Sequence, residues 1–211
     1  HITAQDEEIG RLMDKLDDLG IAENTIVAYS SDHGEMMGSF GYRAKAKPWE
    51  ESINVPFVIR WPAGIPADQQ LDVIFSTVDI TPTLLGLAGV PVPAQMQGRD
   101  LSHILKGSPG PVPDSAFIMR YEPGNLADDD GLGDWWGVRT LNYTYARMVI
   151  EGQVTPWVLY DNPNDPYQMN NLINDPGYSG SQAELDALVG DWMIRVNPHG
   201  LYIPVIGRAA G

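Results

Sequence analysis

Asp32 and His33 stand side by side at the head of a Gly-rich stretch, SSDHGEMMGSFGYRAKAKPWEE, that runs from Ser30 to Glu51. A hard carboxylate oxygen and an imidazole nitrogen together suit a divalent cation. In a regular strand, adjacent side chains leave on opposite faces, so these two reach one ion only where the chain has already left the strand. Gly34 eases that departure. Calcium takes about six to eight oxygens, so a cation held here needs further ligands from elsewhere. The same residues also fit another pattern. Asp32 and Glu35 have the D-x-x-E spacing of a helix N-cap with a reciprocal Glu, which would make His33 a solvent-facing turn residue.

Lys45 and Lys47 follow Asp32 by 13 and 15 positions, with Arg43 as the loop's other cation. Lys is a compact point charge suited to a sulfuryl or phosphoryl oxygen, although a solvated basic loop has the same composition. Glu50 and Glu51 are either partners of these lysines or the acidic start of another turn.

These residues need elements to hold them. Apolar residues recur at helical spacing through Ile9, Leu12, Met13, Leu16 and Leu19, with Gly20 as the stop, which predicts an amphipathic helix packed on something. Thr25 to Ser30 (TIVAYS) reads as a buried strand of a parallel layer, and ligands gather beyond the carboxyl ends of such strands. Val55 to Trp61 reads as a second strand, with Pro56 at its entry. A short helix is expected over Thr77 to Leu87, with Pro82 in its first turn and an end near Gly89. From about residue 112 the pattern changes. Ser115–Tyr121, Trp136–Thr140, Tyr143–Ile150 and Trp157–Tyr160 are strand-like runs without helices between them, so an antiparallel sheet is expected. Residues 181–196 read as a closing helix with Leu185, Leu188, Val189 and Trp192 on one stripe. The predicted class is α/β: an incomplete α/β layer over residues 1–111, then a small four-stranded antiparallel sheet with a carboxyl-terminal helix over 112–211.

The chain has 211 residues, long enough to bury a sizeable core. With 13 Lys and Arg against 28 Asp and Glu, the formal charge of −15 carries no electrostatic footprint for nucleic acid or an anionic membrane, so neither is an expected partner. No run of about 18 or more apolar residues predicts a membrane-crossing helix. The absence of Cys excludes disulfides, Cys-ligated zinc and thiol catalysis within these residues.

The stretch TIVAYSSDHGEMMGSFGYRAKAKPWEESINVPFVIRWPAG resembles the part of sulfatases that runs from a core strand, through a metal-binding Asp-His or Asp-Asn pair and a substrate-binding Lys, to a second strand. STVDITPTLLGLAGV, QGRDLSHIL, GVRTLNYTYARMV and WVLYDNPNDPYQMNNLINDP resemble sulfatase segments in the same order, so the resemblance covers nearly the whole chain. It implies an alkaline-phosphatase-like fold for the α/β layer. It further implies that Asp32 and His33 are metal ligands and that Lys45 is the catalytic lysine that binds the sulfate group, with Lys47 the alternative if the alignment is off by two. Calcium is the family's usual ion, with Mg²⁺, Mn²⁺ or Zn²⁺ admitted by the His nitrogen. Ser39 and Phe40 depart from the Asp-His of many relatives, and Asn54 from their Arg. The Asp-His form of the pair also resembles choline-sulfatase and phosphonate monoester hydrolase relatives, which keeps phosphodiesterase or phosphonate chemistry as an alternative. A non-catalytic structural or interaction module is the other.

The family's formylglycine segment, C-x-P-S-R or S-x-P-S-R, has no counterpart here. The chain is therefore expected to be the carboxyl-terminal part of a sulfatase-like enzyme whose nucleophile lies outside it. Such a piece is expected to be inactive alone and to bind metal weakly. Its partner in the whole enzyme is a small-molecule sulfate ester, and its exposed apolar faces make a homo-oligomer an expectation for the isolated chain. The compartment stays open between bacterial cytoplasm and periplasm. Among other candidates, His103 and His199 read as surface or loop residues, Trp135 and Trp136 as packing residues, and Arg139 as half of a structural ion pair, with approach to substrate in the whole enzyme as its alternative. Asp128 to Gly131 lacks the alternating spacing of a calcium loop, and Asn142 reads as a hairpin turn.

Overall fold

The computed structural model describes residues 2–121, 132–150 and 152–196. The Asp128–Gly131 segment and His199 lie outside them. Two compact units result, neither continuous in sequence. The first comprises the described residues up to Ser31 with Pro56–Leu71 and Ser76–Val112; the second comprises Asp32–Val55, Asp72–Phe75 and the described residues from Pro113 onward.

In the first unit, helix α1 spans Ile2–Asp18. Gly20 ends it at φ 65, with the Ile21 amide donating to Leu16 O at 3.1 Å and the Gly20 amide to Asp17 O at 2.9 Å. This is the left-handed cap that glycine adopts without a Cβ penalty. Helix α1 begins a full two turns before Ile9, the first residue of the expected stripe, because Ile2 to Glu8 carry no residue that stops a helix. The stripe itself is only half-buried at Ile9, Met13 and Leu16, and α1 contributes no buried residue.

Strand β1 (Val27–Ser30) corrects the expected parallel layer. It pairs antiparallel with β2 (Phe57–Arg60), from Val27 opposite Arg60 to Ser30 opposite Phe57. Its middle residues, Ala28 and Tyr29, are exposed, where a buried strand was expected. The β-branched and aromatic composition reports strand propensity correctly but does not reveal the direction of the neighbour. Helix α3 (Ile80–Leu87) follows a single 3-10 turn at Thr77–Asp79. Buried Asp79 accepts from the Ser76 amide at 3.0 Å and from the Arg99 amide at 2.7 Å, and Thr83 Oγ1 accepts from the Leu101 amide at 3.0 Å. These bonds strap the QGRDL segment along α3, ahead of the single-turn helix α4 (Ser102–Leu105).

The second unit is built on one antiparallel sheet in the order β3 (Ser115–Arg120), β4 (Trp135–Thr140), β5 (Tyr143–Ile150), β6 (Gln153–Asp161). Helix α5 (Ser179–Val196) packs on one face, where Trp136, Val138, Tyr145 and Leu159 meet Leu185 and Val189. On the other face Trp135, Ala146, Met148, Val158 and Tyr160 meet Met36 and Trp49 from the segment 32–55. Alternate side chains thus enter two different cores, which explains why Trp135 and Trp136 are both buried, on opposite sides. Strand β6 is longer than the expected Trp157–Tyr160. Pro156 reads as a breaker, yet β6 is an edge strand, and the pairing passes from Ala146 opposite Val158 to Arg147 opposite Pro156, leaving Trp157 as an extra residue in a bulge. Among the described residues no helix is long and apolar enough to cross a membrane.

Tyr145 is fully buried, its hydroxyl donating to Asp186 Oδ1 at 2.5 Å while Arg147 Nε lies 2.8 Å from the same oxygen. Burial first, then the hydrogen bond to the Asp186 carboxylate and its charge, push the Tyr145 phenol well above its ordinary value. Below about pH 10 the phenol is protonated in both folded and unfolded chains, so its contribution is intact. Above that, the unfolded chain loses the proton while the folded one keeps it, and stability falls as pH rises. Urea denaturation from pH 8 to 11.5 is expected to show this fall, and Tyr145→Phe to make it shallower; an unchanged slope in the variant would contradict the assignment.

Candidate functional site

After Ser31 the chain leaves β1, and no helix starts at Asp32, so the capping alternative for Asp32 and Glu35 is not realised. Asp32 Oδ1 instead accepts from the His33 amide at 3.0 Å. His33 Nδ1 lies 2.7 Å from the Gly34 carbonyl oxygen. A carbonyl only accepts, so Nδ1 carries the proton and the ring's other nitrogen is an acceptor, the tautomer common to metal-ligating histidines. That nitrogen, Nε2, faces Asp32 Oδ2 at 3.5 Å. Two donors each about 2.0–2.5 Å from one ion lie roughly 3–3.5 Å apart when they are neighbours in its shell, so the pair fits a shared divalent cation. The Asp32 side chain is 85% exposed and that of His33 40%, so both heads are accessible. Among the described residues no group of three or more His, Cys, Asp or Glu is clustered to hold a metal.

Gly34 serves a purpose other than the expected one. Its φ is not left-handed; its amide donates to Ser52 O at 2.9 Å, and a Cβ there would collide with the Glu51 carbonyl. Close approach of the returning chain, rather than backbone freedom, requires the glycine. Between Gly34 and Ser52 the loop folds back on itself, the Met36 amide donating to Ala44 O at 2.8 Å and the Gly38 amide to Tyr42 O at 2.9 Å. Met37, Phe40, Ala44 and Ala46 all have φ between 52 and 66, a density of left-handed non-glycine residues that only a surrounding structure can impose.

That structure is aromatic. Buried Trp49 stacks on Phe40 (centroids 4.8 Å apart) and on Tyr42 (5.5 Å), meets Trp157 edge-on at 5.6 Å, and donates from Nε1 to Tyr160 Oη at 3.0 Å. Lys45 lies on the exposed side of the loop. Lys47, two residues on, is 1% exposed, with Nζ donating to Lys45 O at 3.0 Å and lying 5.4 Å from the Tyr42 ring centroid. The two lysines therefore occupy opposite environments. Glu50 is partner to neither of them in these contacts. It opens the one-turn helix α2 (Glu50–Ile53) and accepts from Arg139 Nε at 2.7 Å, the structural ion pair expected of Arg139. Gln168, held at φ 53, accepts the Glu50 amide at 2.9 Å through Oε1 and donates to Thr144 Oγ1 at 3.0 Å. Sequence reasoning passed over Gln168 and Trp49; the aromatic density of residues 40–49 was the available signal for the second, and nothing local marks the first.

Residues 38–192 match the family described as N-sulphoglucosamine sulphohydrolase, C-terminal. The chain is 44% identical over 192 residues to an ulvan-active sulfatase of Formosa agariphila, an alignment covering 89% of this chain and 36% of that protein. It is 32% identical over 191 residues to an N-acetylglucosamine-6-O-sulfatase of Bacteroides thetaiotaomicron, covering 89% and 33%. The chain thus spans about a third of the length of these curated relatives. A solved structure in complex with its substrate D-glucosamine-2-N,6-O-disulfate superposes with a TM-score of 0.84 at 31% identity, covering 94% of this chain and 40% of that one. The phosphonate monoester hydrolase of Agrobacterium radiobacter superposes with a TM-score of 0.74 at 26% identity, covering 92% and 39%.

Gly34→Ala forces the Glu51 carbonyl of α2 away and is expected to cost about 2 kcal/mol or more, the range of overpacked backbone sites. Chemical denaturation measures it. A change below about 0.5 kcal/mol would show that the return path is soft.

Proposed function

The chain belongs to the sulfatase family of the alkaline phosphatase superfamily, as the carboxyl-terminal region of such a protein, and from that premise we propose that it serves the hydrolysis of a sulfate ester by a formylglycine nucleophile carried outside these 211 residues. The observation that carries the reading is the His33 ring, whose Nδ1 is committed to Gly34 O while Nε2 faces Asp32 Oδ2. In the proposal Asp32 and His33 supply two ligands to a divalent ion, calcium first, with Mg²⁺, Mn²⁺ and Zn²⁺ as the competitors that an imidazole admits. When bound, the ion supplies Lewis-acid neutralisation of oxygen charge at the ester.

Lys45, exposed on the same loop, holds a sulfuryl or departing oxygen by its ammonium, an electrostatic role that is strongest where water is excluded. Arg139 pairs through its guanidinium with Glu50 at the start of α2. The alcohol released is proposed to be a sugar hydroxyl. One relative is by name a sulfatase of N-acetylglucosamine at O6, and the substrate in the superposed complex is a glucosamine disulfate.

The test uses the full-length enzyme that contains this chain, assayed with an aryl sulfate, glucosamine 6-sulfate and an aryl phosphonate ester. Lys45→Ala is expected to lower kcat/KM for the sulfates by about 10²–10³-fold. Asp32→Asn is expected to weaken calcium binding, read as a loss of the calcium-dependent rise in melting temperature. Preferential turnover of the phosphonate would favour the phosphonate hydrolase reading instead. The 211-residue chain alone is expected to release no sulfate. Turnover by it that Lys45→Ala abolishes would overturn the assignment of the nucleophile to another part of the protein.

A further inference from the structure

We infer that buried Lys47 is a positioning residue for Lys45, acting through the Lys45 carbonyl. This deepens the proposed function and rests on its assignment of Lys45 to the substrate oxyanion. Three successive carbonyls of the Ala44–Lys45–Ala46 turn each have a separate donor. Ala44 O accepts from the Met36 amide at 2.8 Å, Lys45 O from Lys47 Nζ at 3.0 Å, and Ala46 O from Trp135 Nε1 at 3.1 Å. Met36 and Trp135 are themselves buried in the aromatic core, so two of these anchors are immobile. Ala44 and Ala46 flank Lys45 at φ 60 and 66. Left-handed alanines cost of order 1 kcal/mol each, so the turn persists only while its surroundings hold it.

Lys47 is the one side chain that reaches the middle carbonyl in these contacts. A lysine side chain is normally exposed, and burying this one is costly unless the ammonium gains compensation. The Lys45 carbonyl and the Tyr42 ring face at 5.4 Å contribute to it, and Tyr42 is in turn stacked on Trp49. The backbone amide of Lys47 is fixed too, donating to Ser52 Oγ at 3.2 Å. The Lys45 peptide is thus clamped from below while its side chain stays on the exposed side, which sets the direction in which the Lys45 ammonium is presented. An ammonium on four rotatable carbons gains from a fixed base, since misplacement by about 1 Å costs as much as 10²-fold in rate.

A double-mutant cycle on the full-length enzyme tests this, with two readouts: kcat/KM for an aryl sulfate, and the affinity for inorganic sulfate by calorimetry. Lys47→Met keeps length and apolar bulk and removes the donor. In the wild-type background it is expected to lower kcat/KM about 10–30-fold and to weaken sulfate binding. In the Lys45→Ala background it is expected to change neither by more than about twofold, because the residue it positions is gone. Equal losses in both backgrounds would overturn the inference and leave Lys47 a packing residue. Should Lys47→Met yield no folded protein, Lys47→Arg is measured in its place. Guanidinium can still donate to Lys45 O and cover Tyr42, so kcat/KM within about threefold of wild type is expected, and a loss above tenfold in folded enzyme overturns the inference. If Lys45→Ala alone leaves both readouts unchanged, it is the proposed function that fails.

Discussion

The seating of Trp49 governs the second unit. A loop bearing a ligand pair and an ammonium has no ladder of its own to fix it, and a chain with four left-handed non-glycine residues does not hold that shape unaided. Trp49 supplies the template. Its two stacking partners come from the loop itself, its edge-on partner and its hydrogen bond from β6. Aromatic pairs contribute roughly 0.5–1.5 kcal/mol each beyond the area they bury, so three such pairs and one buried hydrogen bond are comparable with the strain they hold. Removing the indole would release the loop, not merely open a cavity under it.

That template exists because the sheet has two buried faces. Were β3 to β6 solvated on one side, the loop would lie on water. Instead α5 covers the opposite face and fixes the strands in register, with Tyr145 and Arg147 of β5 both meeting Asp186 of α5. Met148 and Val158 then stand as rigid neighbours under Trp49 and Met36. Gly137 lets β4 and β5 approach so closely that a Cβ there would strike the Tyr145 carbonyl. The polar network of Thr144, Gln168, Glu50 and Arg139 ties α2 to β4 and β5 at the loop's far end. The 32–55 loop is consequently held by elements more than eighty residues away in sequence.

Much of this was legible in the sequence, and the reasons it was or was not are physical. The strands of the second unit showed as dense apolar and aromatic runs because both faces are buried, and α5 showed as a stripe because only one of its faces is. Asp32, His33 and Lys45 stood out as candidates through residue type and order, together with a forty-residue resemblance. The antiparallel pairing of β1 was not, since four residues of strand propensity carry no direction. Pro156 hid half of β6, because a bulge on an edge strand tolerates what a central strand does not. The difference between Lys45 and Lys47 was invisible locally. Both are lysines in a K-A-K run, and only the core supplied from Trp135 and Trp49 turns one inward.

The charge of the chain bears on that difference. At a formal −15 the protein repels anions at long range, yet at physiological ionic strength exposed charges beyond a Debye length of about 8 Å are largely screened. What an approaching anion meets is therefore local, and Arg43 and Lys45 lie exposed on the loop. Lys47 belongs to a different regime. Out of water, its charge is screened less than that of an exposed lysine, so its field persists through the loop to the Lys45 peptide it holds. A solvated basic loop would place both ammonium groups in solvent, where each contributes little. Dividing the pair, one inside and one outside, gives an acidic protein a small region of positive potential whose direction is set by packing and survives the surrounding screening.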